Sequence, residues 1–117
     1  FNGNKTVHAL SISPDGVPGK LVSWANFGTG WHDGMGTDAC GNVYVCEYIA
    51  AKVWRFSPDG QGQPVILLGT ETTWIPNMQW GSGIGGWDPM AMYVLDISSN
   101  KLYEVPLGVP DKPRAYP

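Results

Sequence analysis

The sequence is poor in charged residues and in long apolar runs, and each shortage excludes a class of protein. Seven of its 117 residues are Lys or Arg and ten are Asp or Glu, which gives a net charge of −3. The chain therefore lacks the excess of basic residues that nucleic-acid binding requires. No apolar stretch approaches the roughly 20 residues of a membrane-spanning helix. We therefore expect neither a nucleic acid nor a membrane as a partner.

Cysteine is also scarce, and the two cysteines define neither a disulfide framework nor a metal site. Cys40 and Cys46 flank a predicted hairpin turn at positions that are not directly opposed, as a disulfide would require. A structural zinc site needs about four ligands, and the nearest histidine, His32, stands alone. We expect two free cysteines, with a bond between them as the less favoured alternative.

Turn-forming residues are abundant instead. The 16 glycines, ten prolines and six tryptophans are typical of a turn-rich all-β protein. Alternating or β-branched runs predict strands at 34–39, 43–48, 52–57 and 64–68, and we expect Gly41-Asn42 to close a two-residue hairpin between the first two. Four consecutive antiparallel strands of this kind correspond to one propeller blade. No run of residues predicts a helix.

The same pattern recurs along the chain. Ser13-Pro14-Asp15-Gly16 reappears 44 residues later as Ser57-Pro58-Asp59-Gly60, and further strands are predicted at 7–13, 20–27, 77–81, 90–97 and 101–105. A period in the forties with four strands per repeat predicts a propeller. We interpret residues 1–30 as the end of one blade, 31–69 as a complete blade, 70–106 as the last blade and 107–117 as a carboxy-terminal tail. The prediction is an all-β propeller fragment of about two to two and a half four-stranded blades.

Three sequence runs carry a resemblance to a known family: HDGMGTD at 32–38, GNVYV at 41–45 and VWRFSPDG at 53–60. They resemble the gluconolactonase, senescence-marker and regucalcin-like family of six-bladed propellers. In that family a D-G-M precedes a D-x-x-G-N hairpin and an R-F-x-P-x-G strand. Residues 75–81, 92–96 and 101–105 resemble the family's last blade less closely. With the chain beginning at Phe1 rather than Met, we expect a carboxy-terminal fragment of such a protein.

The resemblance implies a metal-dependent hydrolase whose substrate is a small-molecule lactone or ester. It implies one divalent cation in the central channel, calcium in the first place and zinc or manganese as alternatives. Asp33, the acid of the D-G-M motif, is then both metal ligand and catalytic general base, and His32 and Asn77 are candidate substrate-binding residues. The family's other ligands, a Glu and two Asn on earlier blades, lie outside these residues. We therefore expect the remaining blades to be needed and the 117-residue chain alone to be inactive.

Other interpretations of the same residues remain open. Asp33 before a glycine could be an ordinary turn aspartate, and Asp38 is expected to stabilise its hairpin rather than bind metal. Glu47 lacks the partner carboxylate of a glycosidase. Four tryptophans could line a cleft, but packing between blades is favoured for them: Trp31, Trp74, Trp80 and Trp87. The alternative functions are a non-catalytic propeller that binds a protein or glycan, and a strictosidine-synthase-like propeller of other chemistry.

Overall fold

A computed structural model of the chain describes residues 5–29, 31–68 and 73–113. Within those ranges the chain forms nine strands and no helix, so the all-β prediction is confirmed. No helix long and apolar enough to cross a membrane occurs in the described ranges. The strands in chain order are β1 (Thr6–Ile12), β2 (Pro18–Asn26), β3 (His32–Thr37), β4 (Val43–Glu47), β5 (Lys52–Phe56), β6 (Gly62–Leu67), β7 (Asn77–Trp80), β8 (Ala91–Asp96) and β9 (Lys101–Pro106).

The strands form three antiparallel sheets in which sequence neighbours pair. The first sheet is β1-β2, the second is β3-β4-β5-β6 and the third is β7-β8-β9. This is the arrangement expected of successive propeller blades, one of them with four strands.

The tight turns at Gly16, Gly41 and Gly60 share one geometry. Each glycine has a positive φ of 80 to 85° and donates its N–H to the carbonyl three residues earlier. At the second turn Asp38 N–H also donates to Asn42 O at 3.0 Å, which leaves a three-residue loop that ends in a left-handed glycine. The predicted two-residue Gly41-Asn42 hairpin is therefore wrong. Of these two residues only Gly41 takes a positive φ, the backbone conformation that glycine adopts without a steric penalty.

The four-stranded sheet is buried on both faces. On β5, Val53 faces a core shared with the third sheet, whereas Phe56 faces a core shared with the first sheet. Tyr44 and Val45 on β4 divide between the same two cores. This alternation places the second sheet between the other two, as blades stack in a propeller.

The residues after β9 return to the second sheet. Lys112 N–H donates to Thr37 O at 2.9 Å, and Ala39 N–H donates to Pro110 O at 2.9 Å. The indole N–H of Trp80 donates to Val109 O at 2.9 Å. These bonds join the third sheet, through the segment that follows it, to the end of β3 that lies away from Asp33.

Candidate functional site

Asp33 lies in a β-bulge at the start of β3. His32 pairs with Glu47 and Met35 pairs with Val45, so three steps along β3 correspond to two steps along β4. The extra residue falls at Asp33 and Gly34, and a bulge of this kind redirects side chains next to functional sites. Asp33 is exposed although His32 directly before it is buried. The bulge thus presents the Asp33 carboxylate at an edge strand of the second sheet.

Gly34 brings this edge against the third sheet. Its N–H donates to Pro76 O at 2.7 Å instead of to its own sheet. A Cβ added to Gly34 would lie 2.3 Å from Asn77 Oδ1 and 2.7 Å from Asn77 Cα, so the two edges approach this closely because residue 34 has no side chain. The structure therefore brings Gly34, the residue after Asp33, against Asn77, which lies 43 residues later in the sequence.

Asn77 is exposed at the first position of β7, opposite Leu95 on β8. Its Oδ1 accepts the N–H of Met78 at 2.8 Å, which fixes the orientation of the amide. A carbonyl oxygen has two lone pairs, so one acceptor position on Oδ1 and both amide hydrogens remain available for a ligand.

His32 is buried rather than solvated, with 6 % of its surface exposed. Its ring stacks on Phe27, with centroids 4.1 Å apart and planes inclined by 14°. Burial lowers the pKa of His32, and the Glu47 charge and the Phe27 backbone oppose this shift without reversing it. Neither ring nitrogen makes a hydrogen bond of good geometry within the described residues. His32 and Asp33 both line a cavity of about 230 Å³ between β1 and β3.

Glu47 is a buried carboxylate whose role the sequence did not reveal. Its Oε1 accepts the backbone N–H of Thr29 at 2.6 Å and the Thr29 hydroxyl at 2.5 Å, and its Oε2 accepts the indole N–H of Trp54 at 2.8 Å. Burial alone would raise the pKa of Glu47, but these hydrogen bonds and the Lys52 charge lower it by more. The pKa of Glu47 therefore lies below its ordinary value, and the carboxylate stays ionised. The available signal was an acid at the end of the otherwise apolar run Val-Tyr-Val-Cys-Glu. Glu47 holds the chain that leads into β3.

Two aspartates, Asp38 and Asp96, are also buried, and both stabilise turns. Asp38 accepts the N–H groups of Cys40 and Asn42, the Asn42 amide and the Tyr44 hydroxyl. Burial alone would raise the pKa of Asp38, but these four hydrogen bonds lower it by more, so the pKa lies below its ordinary value. Asp96 is held in the same way by serines of the turn that follows it, and its pKa falls to about 2. Asp38 thus has the turn-stabilising role expected from the sequence.

The two cysteines differ in their exposure, and so do the tryptophans. Cys40 is exposed and Cys46 is buried, and both are free. Burial, with a smaller contribution from the negative Asp33, raises the pKa of Cys46 to about 12. Trp80 packs edge-on against Tyr44 between the sheets. Trp31, Trp74 and Trp87 are between 42 and 46 % exposed, although Trp74 still lies against Tyr48, which follows β4 of the neighbouring sheet.

The described residues do not include a complete metal site. No group of three or more His, Cys, Asp or Glu side chains in these ranges could hold an ion. Asp33 and Asn77 are oxygen donors of the kind that hard cations prefer, but calcium takes about six to eight oxygens. The donors are thus suitable in kind and too few in number.

Comparison with known proteins relates this geometry to one family. The family model described as "SMP-30/Gluconolactonase/LRE-like region" matches residues 3–95. The matched segment contains the bulge at Asp33, the Gly34 contact and Asn77. No curated protein matches the chain.

Proposed function

Because the chain belongs to the SMP-30/gluconolactonase/LRE-like family, we propose that it is the carboxy-terminal part of a metal-dependent sugar-lactone hydrolase with a six-bladed propeller. The observation that carries this proposal is the bulge that exposes Asp33 and places the next residue, Gly34, against Asn77. An exposed carboxylate and an amide at the facing edges of two stacked sheets are suited to a site on a propeller axis. The remaining blades complete the ring and the site.

One divalent cation is part of the proposal, calcium in the first place and zinc or manganese as alternatives. Asp33 and Asn77 would be two of its ligands, and residues outside this chain would provide the others. When bound, the cation would supply a Lewis acid that polarises the lactone carbonyl.

Asp33 is the proposed general base. A carboxylate that both contacts a cation and activates water needs a water molecule between itself and the ester carbon of the lactone. Asp33 would accept one proton from that water as its oxygen attacks the carbonyl carbon. Asp33 is exposed and lines a cavity, which leaves room for this water.

His32 and Asn77 would orient the substrate. His32 shares a cavity wall with Asp33, and burial keeps its imidazole neutral near pH 7. A neutral imidazole has one donor and one acceptor nitrogen, which is the complement of a sugar hydroxyl. The free amide hydrogens of Asn77 can donate to a second substrate oxygen.

Steady-state hydrolysis of gluconolactone by the full-length protein tests this function. Asp33→Asn keeps the size of the side chain and removes the base, so kcat/KM should fall by about 10²–10⁴-fold. Asp15→Asn alters an exposed turn aspartate of the first sheet and should leave kcat/KM unchanged. Equal hydrolysis by the Asp33→Asn variant and the wild type would show that the assigned base is wrong. A full-length wild type without hydrolysis would favour the non-catalytic propeller.

A further inference from the structure

Trp31, the residue directly before β3, has a backbone conformation that its side chain disfavours. Its φ is 62°, in the left-handed region, where a bulky residue is a steric outlier and glycine is not. Trp31 O accepts the N–H of Tyr48 at 2.9 Å, and Glu47 fixes the chain two residues earlier, at Thr29. Strain of this kind persists where the surrounding structure imposes it, and it concentrates at ligand sites.

The other non-glycine residues with a positive φ in the described ranges are explained by their turns. Ala51 and Asn100 have φ values of 54° and 53°. Each directly precedes the lysine that begins the next strand, Lys52 of β5 or Lys101 of β9. The two residues therefore occupy equivalent positions in the β4–β5 and β8–β9 hairpins, and their conformation belongs to that turn. Trp31 connects two sheets and has no place in such a hairpin.

Trp74 is the counterpart of Trp31 in the next blade, and its backbone is not strained. Trp74 O accepts the N–H of Ile97 at 3.0 Å, the same bond that Trp31 makes in the blade before it. Each tryptophan also lies shortly before the first strand of its sheet, β3 or β7. Trp74 does not have a positive φ. The blade repeat thus makes this hydrogen bond without strain and does not require the strain at residue 31.

Burial in a core does not explain why residue 31 is a tryptophan. Trp31 is 42 % exposed, whereas Trp80, which packs between the sheets, is 5 % exposed. Glycine would adopt the same φ without a steric penalty, and a residue that opposes its own backbone conformation is expected at a functional site. Trp31 precedes Asp33 by two residues, so their Cα atoms are at most about 7 Å apart, at the edge where the bulge exposes Asp33.

We propose that Trp31 is a substrate-binding residue of the hydrolase and that its indole covers one face of the lactone ring beside Asp33. The inference rests on the proposed function and adds an apolar contact to it, since the residues assigned above are polar. A lactone ring presents C–H bonds above and below its plane, and an indole buries such a face while Asp33 acts at the carbonyl carbon. The contact lies away from the reacting bond, so it contributes equally to substrate and transition-state binding.

Steady-state hydrolysis of gluconolactone by the full-length protein tests the contact. Trp31→Gly and Trp31→Ala both remove the indole, so KM should rise at least about fivefold in each with little change in kcat. Trp31→Phe keeps an aromatic ring and should raise KM less. Trp87→Ala is the matched control, because Trp87 is 46 % exposed but lies in the loop beyond the Trp80 end of β7. Its KM should equal that of the wild type.

Thermal unfolding of the same variants tests the strain independently of activity. At an ordinary position alanine is the more stabilising residue, but at a positive φ glycine is. Trp31→Gly should therefore have a Tm about 2–4 °C above that of Trp31→Ala. At Trp74 the order should be reversed, with the alanine variant more stable than the glycine variant.

Three results in an active wild type would overturn this inference alone. The first is an unchanged KM in Trp31→Gly and Trp31→Ala. The second is a lower kcat with an unchanged KM, which would mean that Trp31 only positions Asp33. The third is a Tm of Trp31→Ala at or above that of Trp31→Gly, which would show that residue 31 is not strained. A wild type without hydrolysis would instead overturn the proposed function and this inference together.

Discussion

Replacing Gly34 by alanine tests the contact between β3, next to Asp33, and the start of β7 at Asn77. The added Cβ would lie 2.3 Å from Asn77 Oδ1 and 2.8 Å from Pro76 O, inside any allowed contact distance. Overpacking of this kind costs about 1–3 kcal/mol, and the Gly34 to Pro76 hydrogen bond, which separation of the strands would break, contributes about 1 kcal/mol. We therefore expect Gly34→Ala to lower the free energy of unfolding by about 2–4 kcal/mol.

Urea denaturation and metal titration of the full-length protein measure the two consequences. Gly34→Ala should lower the urea midpoint and also weaken metal binding, because its clash with Asn77 and Pro76 would displace the strand that carries Asp33. Gly16→Ala is the control: it has a positive φ of 80° but no atom within 4 Å of the added Cβ, so it should lose only about 1 kcal/mol and no metal affinity. Unchanged stability and unchanged metal affinity in Gly34→Ala would refute the argument that residue 34 must lack a side chain.

Three further predictions concern buried groups. Glu47→Gln should destabilise the fold by about 1–3 kcal/mol. Because the folded pKa of Glu47 is lowered, the greater stability of the wild type should be present above pH about 4.3 and should disappear as the pH falls through the folded pKa. Urea midpoints of the two proteins across that pH range would show this. The folded pKa of His32 is lowered, so protonation favours the unfolded chain and wild-type stability should fall as the pH drops below about 6.5. His32→Phe keeps the ring stack on Phe27 and should reduce this pH dependence. An equal loss of stability on acidification in both proteins would contradict the prediction. In the native protein a thiol reagent should label Cys40 and spare Cys46, whose pKa is about 12, and mass spectrometry of the peptides distinguishes the two.

Local sequence patterns predicted the strands well because strand periodicity is a local property. The run predicted at 52–57 forms β5 at Lys52–Phe56, and the run predicted at 101–105 forms β9 at Lys101–Pro106. Val53 and Phe56 face opposite cores, as the alternation of side chains along a strand requires. The family resemblance, carried by the residues around Asp33, is likewise confirmed.

Features that depend on contacts between sheets could not be predicted in this way. The Gly34 contact joins strands from two sheets, and nothing near residue 34 identifies Asn77 as its neighbour. His32 is buried against Phe27, the residue that follows β2, and ionised Glu47 is stabilised by Thr29, 18 residues earlier. Sequence patterns identified candidate residues, whereas their burial, protonation and neighbours follow from how the sheets stack.

Titration calorimetry with calcium, and then with zinc and manganese, tests the central claim that Asp33 belongs to a metal site completed by other blades. We predict that the full-length protein binds one divalent cation, that Asp33→Ala binds it far more weakly with an unchanged far-ultraviolet circular dichroism spectrum, and that the 117-residue chain alone does not bind it. Equal affinity in the full-length wild type and the Asp33→Ala variant would contradict the claim.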